Sequence, residues 1–327
     1  KDTNPIYLSD ITHHQDTFSG IQNLVDTYHY NNQFVNLIIY GTEESGKMTL
    51  VRCMLASMFG KSIYKLTCTQ HSVRQNCSNY NINIYRSNHH YEISFAGLQY
   101  ADRCVLSSVM DDYFNTSNVV DNTFKLLVIR DFHLLTKPAQ YSLRRRIETH
   151  YQAVRFIIVT SCINKIEPAI ISRCLSVRCP KPTISQLKSH LVEVCKKESI
   201  RIDEASLAEI TTKSGRNIGK SLYYLEIIKN TGKTDLVSPQ QMCIQRLLDC
   251  FQSKDYPCEA IREAISNLQL AKIGSSKIFR ELLDWVCLNI KDQSQIMESV
   301  ECIAKYELIS NKYNRFSIAM ETTMITL

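Results

Sequence analysis

The sequence lacks any apolar run that could cross a membrane, since a transmembrane helix needs roughly 18 or more consecutive apolar residues. Its N-terminus lacks the basic region and apolar stretch of a secretory signal. We find no low-complexity tract and no internal repeat with a period of roughly 20–50 residues. These absences favour a soluble globular protein that has no membrane partner.

The cysteines lack the spacing of a zinc site, because none of the 13 forms a C-x-x-C pair with another. Their odd number and scattered positions also argue against a disulfide framework. We therefore predict reduced cysteines that pack in the core, and no structural metal.

A chain of 327 residues is too long for one ordinary core and predicts two or three domains. The formal net charge is +6 and the isoelectric point is near 8.6. This mildly basic balance is compatible with binding to nucleic acid, but the placement of the charges carries more weight than their sum.

Short apolar runs alternate with amphipathic segments up to Pro182, which predicts a parallel α/β sheet. The predicted strands are 34–41, 90–97, 124–132 and 154–162, followed by an extended segment at 176–182. The predicted helices between them are 46–60, 102–113 and 137–151. Three amphipathic helices come next, at 184–200, 204–214 and 217–230, and further helices follow, including 259–270 and 275–290.

The segment GTEESGKM (41–48) has the frame of a phosphate-binding loop, in which Gly41 is followed by four residues and then by Gly46 and Lys47. An apolar strand precedes this segment and a predicted helix follows it, which is the context that such a loop requires. Backbone N–H groups at a helix N-terminus bind phosphates, and Lys47 would reach the β- and γ-phosphates. The sequence therefore predicts a loop of nucleotide-binding ancestry.

Three residues of this loop oppose nucleotide chemistry. Met48 replaces the hydroxyl residue that binds Mg²⁺, while Glu43 and Glu44 bring negative charge to a site for phosphate. At an effective dielectric near 20, one carboxylate about 7 Å from a phosphate charge costs roughly 2 kcal/mol. The glutamates can point outward, so the sequence is compatible with an occupied loop and with an empty one. A positive φ at Glu44 would either strain that residue or reshape the loop.

A second nucleotide-binding element stands at the end of the predicted strand 124–132. Hydrolysis requires one carboxylate for Mg²⁺ and another that orients the attacking water. In RDFH (130–133), Arg130 stands in the metal-ligand position and Asp131 in the water-orienting position. Because a cation cannot bind Mg²⁺, these residues argue against a metal at this site.

Taken with SRCLSVRCPKP (172–182) and EVCKKESI (193–200), these segments resemble the small subunits of the eukaryotic replication factor C clamp loader, which are AAA+ proteins. The block FKLLVIRDFHLLTKPAQYSLRRRIETH (124–150) is the most specific part of the resemblance, and 237–327 is the weakest. The nearest likeness is to the last small subunit of the pentamer. That subunit also has a non-hydroxyl residue directly after the loop lysine and a weakened acidic motif, and it is ATPase-defective.

The resemblance implies three domains. An α/β AAA+ nucleotide domain with a degenerate phosphate loop would occupy 1–181, with its parallel sheet flanked by helices. A three-helix lid would occupy 182–234, and an all-α collar that joins the subunits in a ring would occupy 235–327.

The resemblance also assigns roles to positions in the nucleotide site. It implies ATP or ADP bound by Gly41, Ser45, Gly46, Lys47, Met48, Thr49 and Asp131. Thr49 matches a hydroxyl that stands one place late in this subunit type. Ser161 stands where a polar sensor-one residue, usually Asn, is expected. Gly219 stands where the sensor-two arginine is expected, and the spacing does not favour Lys220 or Arg216 as substitutes.

Arg173 matches the arginine finger that each subunit inserts into the ATP site of its neighbour. The chain thus weakens the residues of its own site and keeps the residue that serves another subunit. We predict a non-hydrolysing subunit in which Arg173 acts in trans. Arg103 and Lys137, at the starts of helices, are predicted to contact the phosphates of primer–template DNA without reading its sequence.

The implied function is that of a small subunit in a hetero-oligomer that loads a sliding clamp of the PCNA type onto primer–template DNA. The resemblance implies a location in the nucleus, or in the cytoplasm if the protein is encoded by a virus. One alternative is an active AAA+ ATPase or helicase-loading factor, against which Met48 and Arg130 argue. Another is a shared subunit of an alternative clamp loader for checkpoint or cohesion, which would differ only in its large subunit.

Overall fold

The structure is a computed structural model that describes eleven stretches of the chain. These are residues 5–11, 15–75, 78–95, 102–115, 124–200, 202–231, 239–252, 258–270, 275–290, 292–313 and 316–326. The chain divides into two compact units, Lys1–Thr234 and Asp235–Leu327. The three helices predicted between 184 and 230 fall in the first unit, up to Thr231, and those predicted at 259–270 and 275–290 fall in the second. The division into three domains stays a prediction.

One seven-stranded sheet organises the described part of the first unit. Its strands are β1 (Leu37–Tyr40), β2 (Thr67–Gln75), β3 (Ser78–Arg86), β4 (His90–Ser94), β5 (Lys125–Arg130), β6 (Val154–Thr160) and β7 (Leu175–Arg178). Their order across the sheet is β2-β3-β4-β5-β6-β1-β7. The strands from β4 to β7 pair in parallel, as predicted from their apolar runs.

Two strands that were not predicted from the sequence extend the parallel sheet at one edge, where the pairing is antiparallel. β2 and β3 form an antiparallel hairpin, and β3 pairs antiparallel with β4. In β3, the buried Ile82 and Ile84 alternate with exposed Asn81 and Asn83, so the strand is apolar on one face only. The hairpin therefore lacks the continuous apolar run by which the central strands were identified.

Helices cover both faces of the sheet. The helices of the first unit are α1 (Gln15–Asn31), α2 (Lys47–Phe59), α3 (Asp102–Asn115), α4 (Lys137–Thr149), α5 (Pro168–Ile171), α6 (Ile184–Glu198), α7 (Glu204–Lys213) and α8 (Ile218–Thr231), of which α1 to α5 pack on the sheet. Along β1, Ile38 packs with residues of α3 and α4, while Leu37 and Ile39 pack with α1 and α2. β5 and β6 alternate in the same way, so each central strand is buried on both faces.

The second unit is described as five helices. They are α9 (Pro239–Gln252), α10 (Cys258–Leu270), α11 (Ser275–Asn289), α12 (Gln293–Tyr313) and α13 (Phe316–Thr326). Phe279 and Leu282 of α11 are buried in the core of this unit, and Leu283 and Trp285 pack against it half-buried. Of the helices in the described stretches, none has the length and apolar character of a membrane span.

Ten cysteines whose side chains the structure describes are free thiols, but the expectation that they pack in the core holds for few of them. Cys53, Cys179 and Cys195 are buried. The prediction is wrong for the exposed members, which are Cys68, Cys104, Cys162 and Cys287. The scattered spacing of the cysteines argued against a disulfide framework, but it did not indicate which cysteines are buried.

A buried charged group joins α2 to β4. The Glu92 side chain is 1% exposed, and Arg52 donates to its two carboxylate oxygens at 3.2 and 3.0 Å. His90, also buried, lies 3.4 Å from Glu92 Oε1. Burial alone would raise the pKa of Glu92, but the hydrogen bonds from His90 and Arg52 outweigh it and lower that pKa to about 2.

Glu92 is expected to make the first unit sensitive to acid. Its pKa is lowered from 4.5 to about 2, so its contribution is complete above about pH 4.5 and is lost as the pH falls toward 2. Glu92→Gln should lower the free energy of unfolding by about 2–3 kcal/mol at neutral pH and remove this acid dependence. Hydrogen exchange of the β4 amides measures both effects.

The matched control is Glu209→Gln, because Glu209 forms an exposed pair with Lys213 on α7. Its cost should stay below about 0.5 kcal/mol. Equal losses for Glu92→Gln and Glu209→Gln would contradict the structural role of the buried pair.

Candidate nucleotide site

Three loops meet at one edge of the sheet because β1, β5 and β6 are adjacent and parallel. Gly41 follows β1, Asp131 follows β5 and Ser161 follows β6. The Gly41 N–H donates to the carbonyl oxygen of Thr160 at 3.3 Å, which fixes the first loop to the end of β6. The pairing of the strands therefore assembles the predicted elements in one place.

A cavity of about 720 Å³ opens at this edge. The predicted binding residues that line it are Gly46, Lys47, Met48, Thr49 and Asp131. Its other lining residues are Glu43, Glu44, Arg130, His133, Leu134, Val159, Thr160, Ser161, Ile218, Gly219 and Leu222. The last three belong to α8, so the helical segment after Pro182 closes one side of the cavity.

Gly41 and Ser45 contribute to the loop from behind rather than to the cavity wall. A Cβ added at Gly41 would lie 2.1 Å from the carbonyl oxygen of Cys179, so only glycine fits there. Ser45 is buried, and its carbonyl oxygen accepts a hydrogen bond from the Cys179 thiol at 3.3 Å. Cys179, just after β7, was missed by sequence reasoning, although its place behind the loop follows once β7 pairs with β1.

Lys47 is nearly buried at the first turn of α2, where Gly46 has a φ of 88°. Its ammonium group donates to the carbonyl oxygens of Gly41, at 2.9 Å, and of Thr42. Burial lowers the pKa of Lys47, and the charges of Glu43 and Asp131 oppose this shift in part. Lys47 thus donates hydrogen bonds to carbonyl oxygens of its own loop, and phosphate oxygens can take the place of these acceptors.

The end of β5 places a cation and an acid side by side. Arg130 is half-buried and lines the cavity, and its Nε is buried without a hydrogen-bond partner among the described residues. Asp131 has a φ of 53°, and its Oδ2 accepts a hydrogen bond from Ser94 at 3.0 Å. Strain of this kind is concentrated at functional sites.

The donor set fits a nucleotide better than it fits Mg²⁺. The loop presents the N-terminus of α2 and Lys47, which suit phosphate oxygens. Mg²⁺ requires oxygen ligands, and Met48 and Arg130 occupy the two positions where a hydroxyl and a carboxylate are expected. In the described residues, no group of three His, Cys, Asp or Glu side chains gathers as a metal site.

His133 is a cavity residue that sequence reasoning did not single out. Its Nδ1 accepts a hydrogen bond from the Ser161 N–H at 3.4 Å, which links the ends of β5 and β6. The pKa of His133 is lowered, mainly because the ring is buried, and this shift favours the neutral imidazole. Its position two residues after Asp131, at the end of a buried strand, was the available signal.

The two loop glutamates face the helical segment that follows Pro182. Glu44 has a φ of 55°, the left-handed conformation considered from the sequence. A Cβ on Gly219 would lie 2.9 Å from Glu44 Oε2, so the Glu44 side chain fills the space beside Gly219. Asn217 donates to the carbonyl oxygen of Glu43 at 3.4 Å. Both glutamates are exposed. Glu44 contacts α8 at Gly219, the position where a sensor-two arginine was expected, and Glu43 contacts Asn217, the residue just before α8.

Arg173 lies apart from this cavity, between α5 and β7. Its guanidinium pairs with Glu148 of α4 at 2.8 Å and donates to the carbonyl oxygen of Ala169 at 2.6 Å. The side chain is 35% exposed, so it is held at the surface and does not belong to the chain's own site.

The first residues of α3 and α4 are brought together by one carboxylate. Asp102 accepts hydrogen bonds from the N–H and the hydroxyl of Thr136, at 2.6 and 3.0 Å. Arg103 and Lys137 follow these residues and are exposed. Arg103 also lines a groove between the two helices, together with Tyr141, Arg145, Arg146 and His150. Two helix N-termini and exposed basic side chains therefore share one surface.

The fold matches that of the RuvB Holliday junction branch migration motor of Thermotoga maritima with a TM-score of 0.52, at 12% identity over 85% of each chain. At this identity the match supports the fold alone.

In sequence, the chain is similar to replication factor C subunits. It is 29% identical to replication factor C subunit 3 of Homo sapiens over 68% of this chain and 62% of that protein. It is 26% identical to replication factor C subunit 5 of Schizosaccharomyces pombe over 93% of this chain and 88% of that protein. The chain thus spans 62% of the human relative's length. No family model matches the chain.

The contact between Glu44 and Gly219 is expected to limit substitution at Gly219. Gly219→Ala forces Glu44 to move and should lower the free energy of unfolding by about 1 kcal/mol. Glu44→Gly in the same chain removes the clash and suits the positive φ, so it should restore most of the loss. Urea unfolding of the four chains of this double-mutant cycle measures the coupling.

Gly20→Ala provides the control, because Gly20 lies in α1 and an added Cβ there meets no atom within 4 Å. That substitution should stabilise the protein by about 0.5–1 kcal/mol. If Gly219→Ala stabilises it to the same extent, Glu44 does not occupy the space beside Gly219.

Proposed function

We propose that this protein is a small subunit of a clamp loader of the replication factor C type, with a nucleotide site that does not hydrolyse ATP. The similarity to replication factor C subunits and the AAA+ fold support the class. The observation that carries the proposal of non-hydrolysis is the replacement of both Mg²⁺ ligand positions, by Met48 and Arg130, in a cavity that keeps the phosphate loop.

In this proposal the chain's own site has a structural role. Lys47 and the N-terminus of α2 bind the phosphates of ATP or ADP, while α8 covers the loop. Asp131 remains hydrogen-bonded to Ser94, and the residue directly before it is Arg130 rather than a carboxylate. Without bound Mg²⁺ no metal bridges the β- and γ-phosphate oxygens as hydrolysis requires, so the nucleotide stays intact.

Arg173 supplies the chemistry at the neighbouring subunit. An arginine finger stabilises charge on the transferring phosphoryl group and accelerates hydrolysis by about 10³–10⁵-fold. Arg173 is exposed enough to reach another chain, and Glu148 holds its guanidinium in a fixed position. The side chain exchanges this ion pair for the phosphate when the subunits assemble.

The partners follow from the same proposal. The chain assembles with other clamp-loader subunits, and the complex places a PCNA-type clamp on primer–template DNA in the nucleus. Arg103 and Lys137 bind DNA phosphates at the N-termini of α3 and α4, where the backbone N–H groups also favour anions. Such contacts position the protein on DNA and carry no sequence preference.

Arg173→Ala is expected to remove hydrolysis at the neighbouring ATP site of the assembled complex. The turnover of that site should fall by at least about 10³-fold, so the DNA-stimulated turnover of the complex loses that site's share. Arg173→Lys should lose most of the same activity, because an ammonium group lacks the planar fork of a guanidinium. Steady-state phosphate release in the presence of primer–template DNA and clamp measures both variants.

Arg144→Ala is the matched control, because Arg144 pairs with the same Glu148 at 3.2 Å. It should leave turnover within about 2-fold of the unmodified complex, as expected for an exposed ion pair. The assignment of Arg173 fails if turnover is unchanged in Arg173→Ala. It also fails if Arg144→Ala loses as much activity as Arg173→Ala.

A further inference from the structure

The Nε–H of Arg130 is a buried donor for which the described residues offer no acceptor. Nearly all buried N–H groups in folded proteins are paired, because an unpaired one loses its hydration without compensation. Arg130 also lines the cavity that Lys47 and Asp131 line. A turn of the Arg130 side chain toward an anion in this cavity would supply the acceptor that the described residues lack.

The position of Arg130 identifies what its charge replaces. It is the last residue of β5, directly before Asp131, where a nucleotide-hydrolysing site would carry the carboxylate that binds Mg²⁺. Met48 packs partly against the core between α1 and α2 and offers a thioether where Mg²⁺ needs oxygen. Asp131, the next residue in the chain, already accepts a hydrogen bond from Ser94. Arg130 therefore supplies, from the chain itself, a positive charge that can neutralise a phosphate.

We propose that this cavity binds a nucleoside diphosphate or triphosphate without a divalent cation, and that the guanidinium of Arg130 takes the place of the metal. Arginine suits this role because it is always charged and its planar fork matches phosphate oxygens. The inference rests on the proposed nucleotide site. It adds an explanation of how that site binds phosphates without Mg²⁺.

The cavity is lined by charges of both signs. Lys47 and Arg130 are its two cations, and its three carboxylates are Glu43, Glu44 and Asp131. Asp131 is hydrogen-bonded to Ser94, and the Glu44 side chain lies against Gly219 of α8. Lys47 is held by two loop carbonyl oxygens, which it exchanges for phosphate oxygens when the ligand binds. A divalent cation beside Arg130 would be repelled by the guanidinium at short range.

The affinity of the full-length chain for a fluorescent ADP analogue tests the proposal when it is measured with Mg²⁺ and with EDTA. The dissociation constant should change by less than about 3-fold between the two conditions, since no metal contributes to binding. Arg130→Gln should weaken binding by about 10- to 100-fold in both, the range for one lost charged hydrogen bond. Arg130→Asp should bind weakly in EDTA and recover affinity when Mg²⁺ is added, because it restores a metal ligand.

Paramagnetic resonance of Mn²⁺ gives a second readout that does not depend on affinity. With the unmodified chain and ADP, the Mn²⁺ spectrum should match that of Mn²⁺ and ADP without protein, and with Arg130→Asp it should broaden. Lys65→Gln is the matched control for loss of a cation, because Lys65 is exposed and does not line the cavity. Circular dichroism of each variant confirms that the chain is folded.

The outcomes separate this inference from the proposed function beneath it. If the unmodified chain binds the ADP analogue only with Mg²⁺, the role of Arg130 is overturned and the nucleotide site stands. If binding is metal-independent but unaffected by Arg130→Gln, the role of Arg130 is again overturned. If the chain binds no nucleotide under either condition, the proposed site and this inference fail together.

Discussion

The parallel pairing of β1, β5 and β6 is the constraint on which the candidate site depends. It places the ends of three strands at one edge of the sheet. Lys47, the adjacent Arg130 and Asp131, and Ser161 therefore line the same cavity. The charges at that edge then determine what the cavity can do. Lys47 suits phosphate, whereas Arg130 stands where a metal would need a carboxylate. The edge thus combines Lys47 and the N-terminus of α2 with Met48 and Arg130, neither of which offers an oxygen ligand for Mg²⁺.

Central strands and helices were predictable from the sequence because they are buried on both faces or carry one apolar stripe. The run LLVI (126–129) and the helix that follows Gly46 were located within a few residues for that reason. The hairpin of β2 and β3 was missed because it is half-exposed and its apolar residues only alternate. The burial of the cysteines was also mispredicted, since a small side chain with no periodic neighbours gives no signal of depth.

The candidate site was predictable in its members but not in their contacts. Spacing identified Lys47, Met48, Arg130 and Asp131, and these residues do line one cavity. It could not reveal that Lys47 bonds the loop carbonyl oxygens, or that Arg130 keeps a buried donor unpaired. The first fact depends on the conformation of the loop, since Thr42 and Gly41 lie only 5 and 6 positions before Lys47, and the second depends on the packing around the end of β5. The contact of Glu44 with Gly219 could not be predicted either, because it joins the loop to a helix far along the chain.

The central claim is that this chain holds a nucleotide and does not hydrolyse it. Single-turnover hydrolysis tests this claim most directly, with the isolated chain in excess over radiolabelled ATP in the presence of Mg²⁺. The account predicts that phosphate release does not exceed the rate in buffer, while filter binding detects ATP retained by the chain. Phosphate release above the buffer rate that is abolished by Lys47→Ala would contradict the account, because the site would then be catalytic despite Met48 and Arg130.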